Sequence, residues 1–175
     1  MPCNAKVQRQ QRGFSLFELV AAIVIMGVLG GVLLQRMLYL QEYAEMTAMD
    51  LTVANLRTGL RYKTGDFLIR GKVSEIATLS DENPVDWLQD HPENYLGEFD
   101  LKPDADLRGK WYFDKTRHEL VYTINNRRHF LPANGQDYAL RWQAVRLPAK
   151  EEDISRSRNE VHWVALVKVP GGRWF

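Results

Sequence analysis

The fold is decided by the stretch at residues 12–18, Arg12-Gly13-Phe14-Ser15-Leu16-Phe17-Glu18. It leads into an apolar run, Phe14 to Leu34, of 21 residues in which Glu18 is the only charged one. A helix rises about 1.5 Å per residue, so this run extends about 30 Å, the thickness of a bilayer's hydrocarbon core. The run therefore predicts a membrane-spanning helix, although the whole 175-residue chain, with 26% charged residues, has the composition of a soluble domain.

The charges that flank the apolar run predict its orientation. Lys6, Arg9 and Arg12 precede it, and no acidic residue occurs among the first thirteen. Because basic residues favour the cytoplasmic side of a membrane, we expect the N-terminus inside and the residues after Leu34 across the membrane. Arg36 weakens this asymmetry without reversing it.

Two ordinary explanations of such a run are a cleaved secretory signal and a plain signal anchor. A secretory signal has an apolar region of about 7–15 residues and a small-residue cleavage site, whereas this run is longer and lacks a convincing site. A plain anchor accounts for the length and the flanks but leaves Glu18 unexplained. A carboxylate inside a membrane span is costly and usually functional, so Glu18 indicates more than an anchor.

Residues 13–20, Gly-Phe-Ser-Leu-Phe-Glu-Leu-Val, closely resemble the type III signal of type IV pilins and type II secretion pseudopilins. The resemblance implies that a membrane prepilin peptidase cuts between Gly13 and Phe14, so that residues 1–13 are a leader peptide. It also implies N-methylation of Phe14. Glu18 is then the fifth residue of the mature chain, the glutamate that this family uses in assembly.

The same resemblance implies where the chain resides and what it contacts. It implies a single-pass protein of the bacterial inner membrane with a periplasmic globular domain, which later becomes part of a pilus or pseudopilus filament. The implied partners are the prepilin peptidase, other pilin or pseudopilin subunits, the membrane and the inner-membrane assembly platform. No cofactor is implied, and the net charge of +1 gives no indication of nucleic acid binding.

The chain departs from many major pilins in two places. It has Gln35 where they carry a proline that kinks the helix, and its single cysteine, Cys3, excludes the disulfide near their C-terminus. These departures favour a minor pilin or a pseudopilin, with pilus, mannose-sensitive-type pilus and secretion system as open alternatives. Gly27, Gly30 and Gly31 in the span, residues 14–34, either loosen the helix or let neighbouring helices approach closely.

Beyond the span, residues 35–63 predict an amphipathic continuation of the same helix. Apolar residues recur every three or four positions: Tyr39, Tyr43, Met46, Met49, Val53, Leu56 and Leu60. A polar face lies between them: Gln41, Glu42, Glu45, Asp50, Asn55 and Arg57. We expect the helix to run from about Phe14 to Lys63 and to end at Gly65, because glycine is common just past a helix C-terminus.

The next region, residues 64–108, is predicted to connect helix and sheet. Phe67 to Ser80 fits a helix interrupted at Gly71. The dipeptide Asn83-Pro84 fits the N-cap and first residue of a short helix that ends at about Asp90.

After a loop-like stretch at 91–108, the period changes from helical to strand-like. Four runs rich in Val, Leu, Tyr and Trp predict strands: Lys110–Phe113, Glu119–Ile124, Tyr138–Leu147 and Val161–Val169. Arg127 to Leu131 either continues the second run or forms a short strand. Residues 109–175 are therefore expected to form a four-stranded antiparallel sheet packed on the long helix, which is an α+β, pilin-like fold.

The sequence shows no constellation of catalytic or metal-binding residues. The four histidines lie on separate predicted elements: His91, His118, His129 and His162. No nucleophile elbow, Walker loop or dinucleotide fingerprint occurs. Asp100, Asp104 and Asp106 offer oxygens to a calcium ion, but their spacing does not match an EF-hand, and a solvated acidic loop is favoured. We expect no catalytic residue, no metal site and no enzymatic activity.

Aromatic residues of the predicted sheet raise an alternative function. Trp111, Tyr112, Trp142 and Trp163 either pack in the core, which is favoured, or line a sugar- or peptide-binding face. The second interpretation makes the chain a filament-borne binding module for adhesion, DNA or a secreted substrate. The C-terminal Trp174-Phe175 is expected either to dock back onto the domain or to contact another subunit.

Overall fold

The computed structural model of the protein describes residues 15–100, 106–133, 137–147 and 163–174. Its longest element is helix α1, Leu16–Ile69, which has 54 residues. The chain divides into two compact units, Met1–Gln41 and Glu42–Phe175. In the first unit the described residues are almost all helical, and large apolar side chains such as Phe17 (81%) are exposed. This helix is long and apolar enough to cross a membrane.

The C-terminal end of α1 lies later than predicted. The helix continues through Gly65 to Ile69 instead of ending near Lys63. Phe67 lies in this extension and packs against the buried core. Tertiary packing of Phe67 therefore extends the helix past a glycine that local propensity alone marks as an end.

The stop signal of α1 is Gly71. Its φ of +71° is the left-handed conformation that glycine adopts without steric cost. The amide of Gly71 donates to the carbonyl of Leu68 at 3.1 Å, and the amide of Lys72 donates to that of Phe67 at 2.8 Å. These two bonds form a Schellman cap, which satisfies carbonyls that the helix end leaves unpaired.

Two short 3₁₀ helices follow, Val73–Ser80 and Pro84–Trp87. Asn83 caps the second one as predicted, because its side-chain oxygen accepts a hydrogen bond from the amide of Val85 at 3.0 Å. The second helix does not reach Asp90, since the backbone becomes extended directly after Trp87.

The described residues after the helices form a five-stranded sheet and a two-stranded sheet. The strands are β1 Tyr95–Phe99, β2 Trp111–Asp114, β3 Glu119–Thr123, β4 Phe130–Leu131, β5 Ala139–Leu147, β6 Trp163–Lys168 and β7 Arg173–Trp174. The larger sheet has the order β1-β2-β3-β5-β6, and β4 pairs with β7. Strands β1 and β2 are parallel, and every other pair is antiparallel.

The prediction of four antiparallel strands omits one strand of the larger sheet. Strands β2, β3, β5 and β6 match the four predicted runs, and β1 lies in the stretch predicted to be loop. The pairing of β1 shifts register between Tyr95 and Glu98, and Gly97 between them has a φ of +113°. The burial of β1 alternates from residue to residue, but glycine occupies the middle position of its more buried face, so only Tyr95 and Phe99 mark that face in the sequence. The sheet is therefore mixed.

The core of the second unit lies between α1 and the larger sheet. Four residues of the predicted apolar stripe are buried there: Met49, Val53, Leu56 and Leu60. They belong to one cluster with residues of β2, β3 and β5, namely Trp111, Phe113, Leu120, Tyr122, Leu140 and Trp142. The predicted α+β arrangement of a long helix on a sheet is confirmed.

Most of the sheet aromatics are packing residues. Trp111 and Trp142 are each 2% exposed, and their ring centroids lie 5.3 Å apart. Tyr112 is buried in a second, smaller cluster with Leu107. Trp163 is 37% exposed. Three of the four aromatics are therefore held in the interior, which weakens the argument for a ligand-binding aromatic face.

The C-terminal residues dock onto the domain. Strand β7 pairs with β4, and the ring of Trp174 meets the ring of Phe130 edge-on at 5.3 Å. Gly172 allows this approach, because a Cβ at that position would collide with the Phe130 ring. The short strand considered for Arg127 to Leu131 is present as β4, and Phe175 lies outside the described residues.

Candidate functional site: glutamates of the long helix

Glu18 lies in the first turn of α1. This turn is closed by the amide of Leu19, which donates to the carbonyl of Ser15 at 3.1 Å. The side chain of Glu18 is exposed, and within the described part of the chain it forms no hydrogen bond. A helix N-terminus favours negative charge, so the helix dipole stabilises this carboxylate. The other predicted site residues, Gly13 and Phe14, lie outside the described residues.

Glu42 is the most buried ionisable residue of the described helix, with 1% of its surface exposed. Its Oε1 accepts a hydrogen bond from the amide of His129 at 2.9 Å. Its Oε2 lies 2.6 Å from Nδ1 of the same histidine. A buried carboxylate requires such partners, because an unpaired charge in the interior is strongly unfavourable.

Glu45 lies one turn further along and binds the chain just before His129. Its Oε1 accepts from the amide of Asn125 at 2.7 Å and from the hydroxyl of Tyr122 at 3.1 Å. Its Oε2 accepts from the amide and the side-chain Nδ2 of Asn126, both at 2.9 Å. Burial, together with the charge of Glu45 and its hydrogen bond, raises the pKa of Tyr122. The two glutamates therefore hold residues 125–129 against the helix.

The assignment of Glu42 to the polar face of the helix is wrong. Glu42 lies seven residues, or two turns, before Met49 and is therefore in phase with the buried stripe. That phase is the signal from which its burial could have been recognised. Glu45 is half-buried at the edge of the same stripe, where its carboxylate reaches backbone amides.

Removing the carboxylate of Glu45 should destabilise the second unit. We expect Glu45→Ala to lower the free energy of unfolding by about 2–3 kcal/mol, because hydrogen bonds to a charged group are lost and backbone amides lose their acceptor. Urea unfolding of the full chain in detergent, followed by tryptophan fluorescence, measures this. The matched control is Asp50→Ala on the exposed side of α1, which should stay within about 0.5 kcal/mol. Equal effects of the two substitutions would contradict the anchoring role.

The remaining candidate residues have structural partners. Nε2 of His91 lies 3.5 Å from a carboxylate oxygen of Asp86, and the ring of His118 meets that of Phe113 edge-on. His162 lies outside the described residues. Within the described ranges, no group of three or more His, Cys, Asp or Glu residues is arranged to hold a metal ion.

The two described aspartates of the acidic loop each have a cationic partner. Arg108 hydrogen-bonds Asp106 at 2.8 and 3.0 Å and lowers the pKa of that carboxyl to about 2. Lys115 lies 3.4 Å from Asp100, and Asp104 lies outside the described residues. The described carboxylates therefore carry surface ion pairs.

Comparison with known proteins identifies the N-terminal segment. Residues 8–34 match the prokaryotic N-terminal methylation motif. The match covers the basic flank, Gly13, Glu18 and the apolar run, and it leaves the globular part of the chain unmatched. No curated protein and no solved structure matches the chain. The chain thus carries, on a long apolar helix, the N-terminal methylation signal of type IV pilins and pseudopilins.

Proposed function

We propose that this protein is a structural subunit, a minor pilin or a pseudopilin, of a type IV pilus or a type II secretion pseudopilus. The observation that carries the proposal is the methylation motif at residues 8–34, followed by a helix with exposed apolar side chains. Prepilin peptidase cuts between Gly13 and Phe14, and the new N-terminus of Phe14 is methylated. The chain then enters the filament through its N-terminal helix.

The chemistry of assembly rests on two opposite charges. Cleavage creates a cationic amine at Phe14, and Glu18 lies in the first turn of α1 with no partner among the described residues. An incoming subunit offers the amine, and a neighbour already in the filament offers its Glu18. Each charge alone is costly in an apolar helix bundle, and pairing them avoids two separate penalties. Because the pair forms at one axial offset only, it specifies the stagger between subunits.

The remaining parts of the chain take roles that follow from this scheme. Residues 14–34 anchor the precursor in the inner membrane with the N-terminus in the cytoplasm, and later form the filament core. The unit that begins at Glu42 lies on the periplasmic side. Absence of a cysteine after Cys3 and of the kink proline at Gln35 favours a minor pilin or pseudopilin over a major pilin. Other pilin-type subunits and the assembly platform are the partners.

Processing supplies the direct test of the proposal. In cells that contain prepilin peptidase, mass spectrometry should find a mature chain that begins with N-methylated Phe14. Gly13→Leu should leave nearly all of the chain as unmethylated precursor, because the peptidase reads the glycine before the cleaved bond. The matched control is Gly27→Leu, a glycine of the same span at which an added Cβ meets no atom within 4 Å. Cleavage of the Gly13 variant at the wild-type rate, or an uncleaved wild-type chain, would overturn the proposed function.

A further inference from the structure

A small pocket lies on the face of the larger sheet that points away from α1. Strand β2 shows the two faces: Trp111 and Phe113 belong to the cluster that contains the buried residues of α1, whereas Tyr112 between them belongs to the second cluster. The pocket, which we call the outer-face pocket, has a volume of about 60 Å³. Its polar and aromatic lining residues are Tyr112, Thr123, Arg127, Asp137, Tyr138 and Arg141. The lining is therefore mainly polar.

Tyr112 supplies an unused hydroxyl to the outer-face pocket. The residue is only 4% exposed, and its ring meets that of Phe99 edge-on. The charges of Arg141 and Asp137, two other lining residues, act on its hydroxyl, which places the hydroxyl end at the pocket. This hydroxyl forms no hydrogen bond to any residue that the structure describes. Burial raises the pKa of Tyr112, so the group stays protonated and can donate a hydrogen bond to a ligand.

Thr123 supplies a second hydroxyl. It is the last residue of β3, where it pairs with Ala139 of β5, and its backbone amide donates to the carbonyl of Lys110 at 3.1 Å. These backbone contacts hold the residue at the pocket, while its side-chain hydroxyl makes no hydrogen bond within the described ranges. A threonine hydroxyl can donate one hydrogen bond, so the pocket presents two hydroxyl donors.

The charge of Arg141 is balanced inside the protein. Its Nη1 donates to a carboxylate oxygen of Asp137, and its Nε lies 3.4 Å from Oε2 of Glu119. Two carboxylates beside one guanidinium fix the position of Arg141 in the wall of the pocket. Arg141 alone therefore does not account for an attraction to a further anion.

Arg127 carries the positive charge that remains. Its Cζ lies 4.7 Å from the centre of the Tyr138 ring, so the guanidinium is stacked on an aromatic wall of the pocket. Its Nε donates to the carbonyl of Ile124 in a long hydrogen bond of 3.5 Å. In the part of the chain that the structure describes, no carboxylate forms an ion pair with it. Arg127 is therefore positioned by its neighbours and can still pair with an anion.

Charge and size together indicate the class of ligand. The lining contains two arginines and one aspartate, which leaves one positive charge. A monoanion compensates this charge, whereas a dianion such as phosphate would leave an unpaired negative charge beside Asp137. A guanidinium also matches the planar fork of a carboxylate. One water needs about 10–15 Å³ of such volume, so the pocket holds about four to six groups of that size, enough for a carboxylate group but not for a sugar ring or a nucleotide.

We infer that the outer-face pocket binds a carboxylate group, either of a small free acid or of a peptide C-terminus. Arg127 pairs with the carboxylate, and the hydroxyls of Tyr112 and Thr123 donate hydrogen bonds to it. The ion pair of Asp137 with Arg141 closes one side of the site and disfavours ligands of higher negative charge. This pocket gives the chain a ligand site in addition to its proposed role in a filament.

Titration of the purified full-length chain in detergent tests the inference. With ¹³C-labelled tyrosine, acetate should shift the ring signals of Tyr112 and Tyr138 in a saturable way. Acetamide has the shape of acetate without its charge and should bind at least about tenfold more weakly. The phosphate dianion should also bind more weakly than acetate. Equal binding of acetate and acetamide, tighter binding of phosphate, or the absence of a saturable shift would overturn the inference.

N-acetylglycine, which mimics a peptide C-terminus, distinguishes the two sources of the carboxylate. Tighter binding of N-acetylglycine than of acetate assigns the site to chain ends, and weaker binding assigns it to small free acids. Either result supports a carboxylate site.

Substitutions identify the groups that bind the carboxylate. Arg127→Gln should weaken acetate binding at least about tenfold, because a hydrogen bond to a charged group is lost. The matched control is Arg128→Gln, the next arginine, which is exposed and does not line the pocket, and it should leave binding unchanged. Tyr112→Phe should weaken binding about threefold to tenfold, and Tyr62→Phe on the exposed side of α1 should have no effect. Equal effects of Arg127→Gln and Arg128→Gln would overturn the inference, provided that unchanged tryptophan fluorescence shows both variants to be folded.

Binding and filament assembly can be measured separately. Glu18 lies in the other unit, so Glu18→Ala should bind acetate as the wild-type chain does. A chain that binds acetate but is never processed or assembled would overturn the proposed function alone. A chain that assembles but does not bind acetate would overturn this inference alone.

Discussion

Glu18→Ala should lower recovery of the protein in sheared filaments by about a hundredfold or more. Removing one partner of a buried ion pair costs about 3–5 kcal/mol, because the remaining charge is left unpaired. Each 1.4 kcal/mol changes an equilibrium about tenfold. The amine of the incoming subunit is that remaining charge, so the loss falls on incorporation. Quantitative immunoblots of the sheared and membrane fractions measure it.

The control for this variant is processing of the same chain. Cleavage after Gly13 and methylation of Phe14 should continue, because they precede assembly and depend on the signal around the cleaved bond. Glu45→Ala is a second control, since it removes a helix carboxylate that bonds within its own unit and should lower filament recovery only in proportion to lost folded protein. Recovery of Glu18→Ala at the wild-type level would refute the pairing scheme.

Gly59→Ala should lower the free energy of unfolding by about 1–3 kcal/mol, although alanine is the better helix former. Helix propensity alone favours alanine over glycine by about 1 kcal/mol. A Cβ at Gly59, however, would lie 2.5 Å from the backbone carbonyl oxygen of Trp87. Trp87 belongs to a 3₁₀ helix packed against α1, so the backbone itself must shift, and overpacking of this kind typically costs about 1–3 kcal/mol.

The same helix provides an internal control at Gly65. A Cβ there meets no atom within 4 Å, so Gly65→Ala should raise the free energy of unfolding by up to about 1 kcal/mol. Urea unfolding of both variants in detergent compares them directly. Opposite signs are expected. Stabilisation by both substitutions would show that the 3₁₀ helix yields easily and that the close approach at Gly59 is not structurally required.

The elements predicted from the sequence are those whose pattern is long and regular. The apolar run predicts the exposed first part of α1, and the spacing from Met49 to Leu60 predicts its buried stripe. Asn83-Pro84 predicts a capped helix start. Strands β2, β3 and β6 each contain at least three consecutive apolar or aromatic residues, and β5 alternates, with Leu140, Trp142 and Ala144 buried. In these cases local preference and tertiary packing favour the same structure.

The features missed are those that only tertiary contacts decide. Strand β1 has a glycine at one of its inward positions and an irregular register with β2, so the sequence marks it only weakly. The helix passes Gly65 because Phe67 is packed on the core. The helical phase of Glu42 indicates that it is buried, but its hydrogen-bond partner, His129, lies 87 positions later in the chain. Such distant partners cannot be predicted from the residues next to Glu42, Phe67 or Gly97 in the sequence.

The functional residues divide in the same way. Gly13, Phe14 and Glu18 can be proposed from the sequence because they lie close together within the segment that matches the methylation motif. The contacts of Glu42 and Glu45 have no linear motif, since their partners His129 and Tyr122 lie 87 and 77 residues later in the chain.

The buried apolar residues of α1 precede, along the chain, every strand that they pack against. This order has a consequence during synthesis. About 100 residues separate Leu60 from β6. At about 5–20 residues per second, β6 is therefore synthesised roughly 5–20 s after Leu60. During that interval Met49, Val53, Leu56 and Leu60 have a helical face with no sheet to cover it. While the chain is being made, the middle of α1 is therefore an apolar surface open to proteolysis and aggregation.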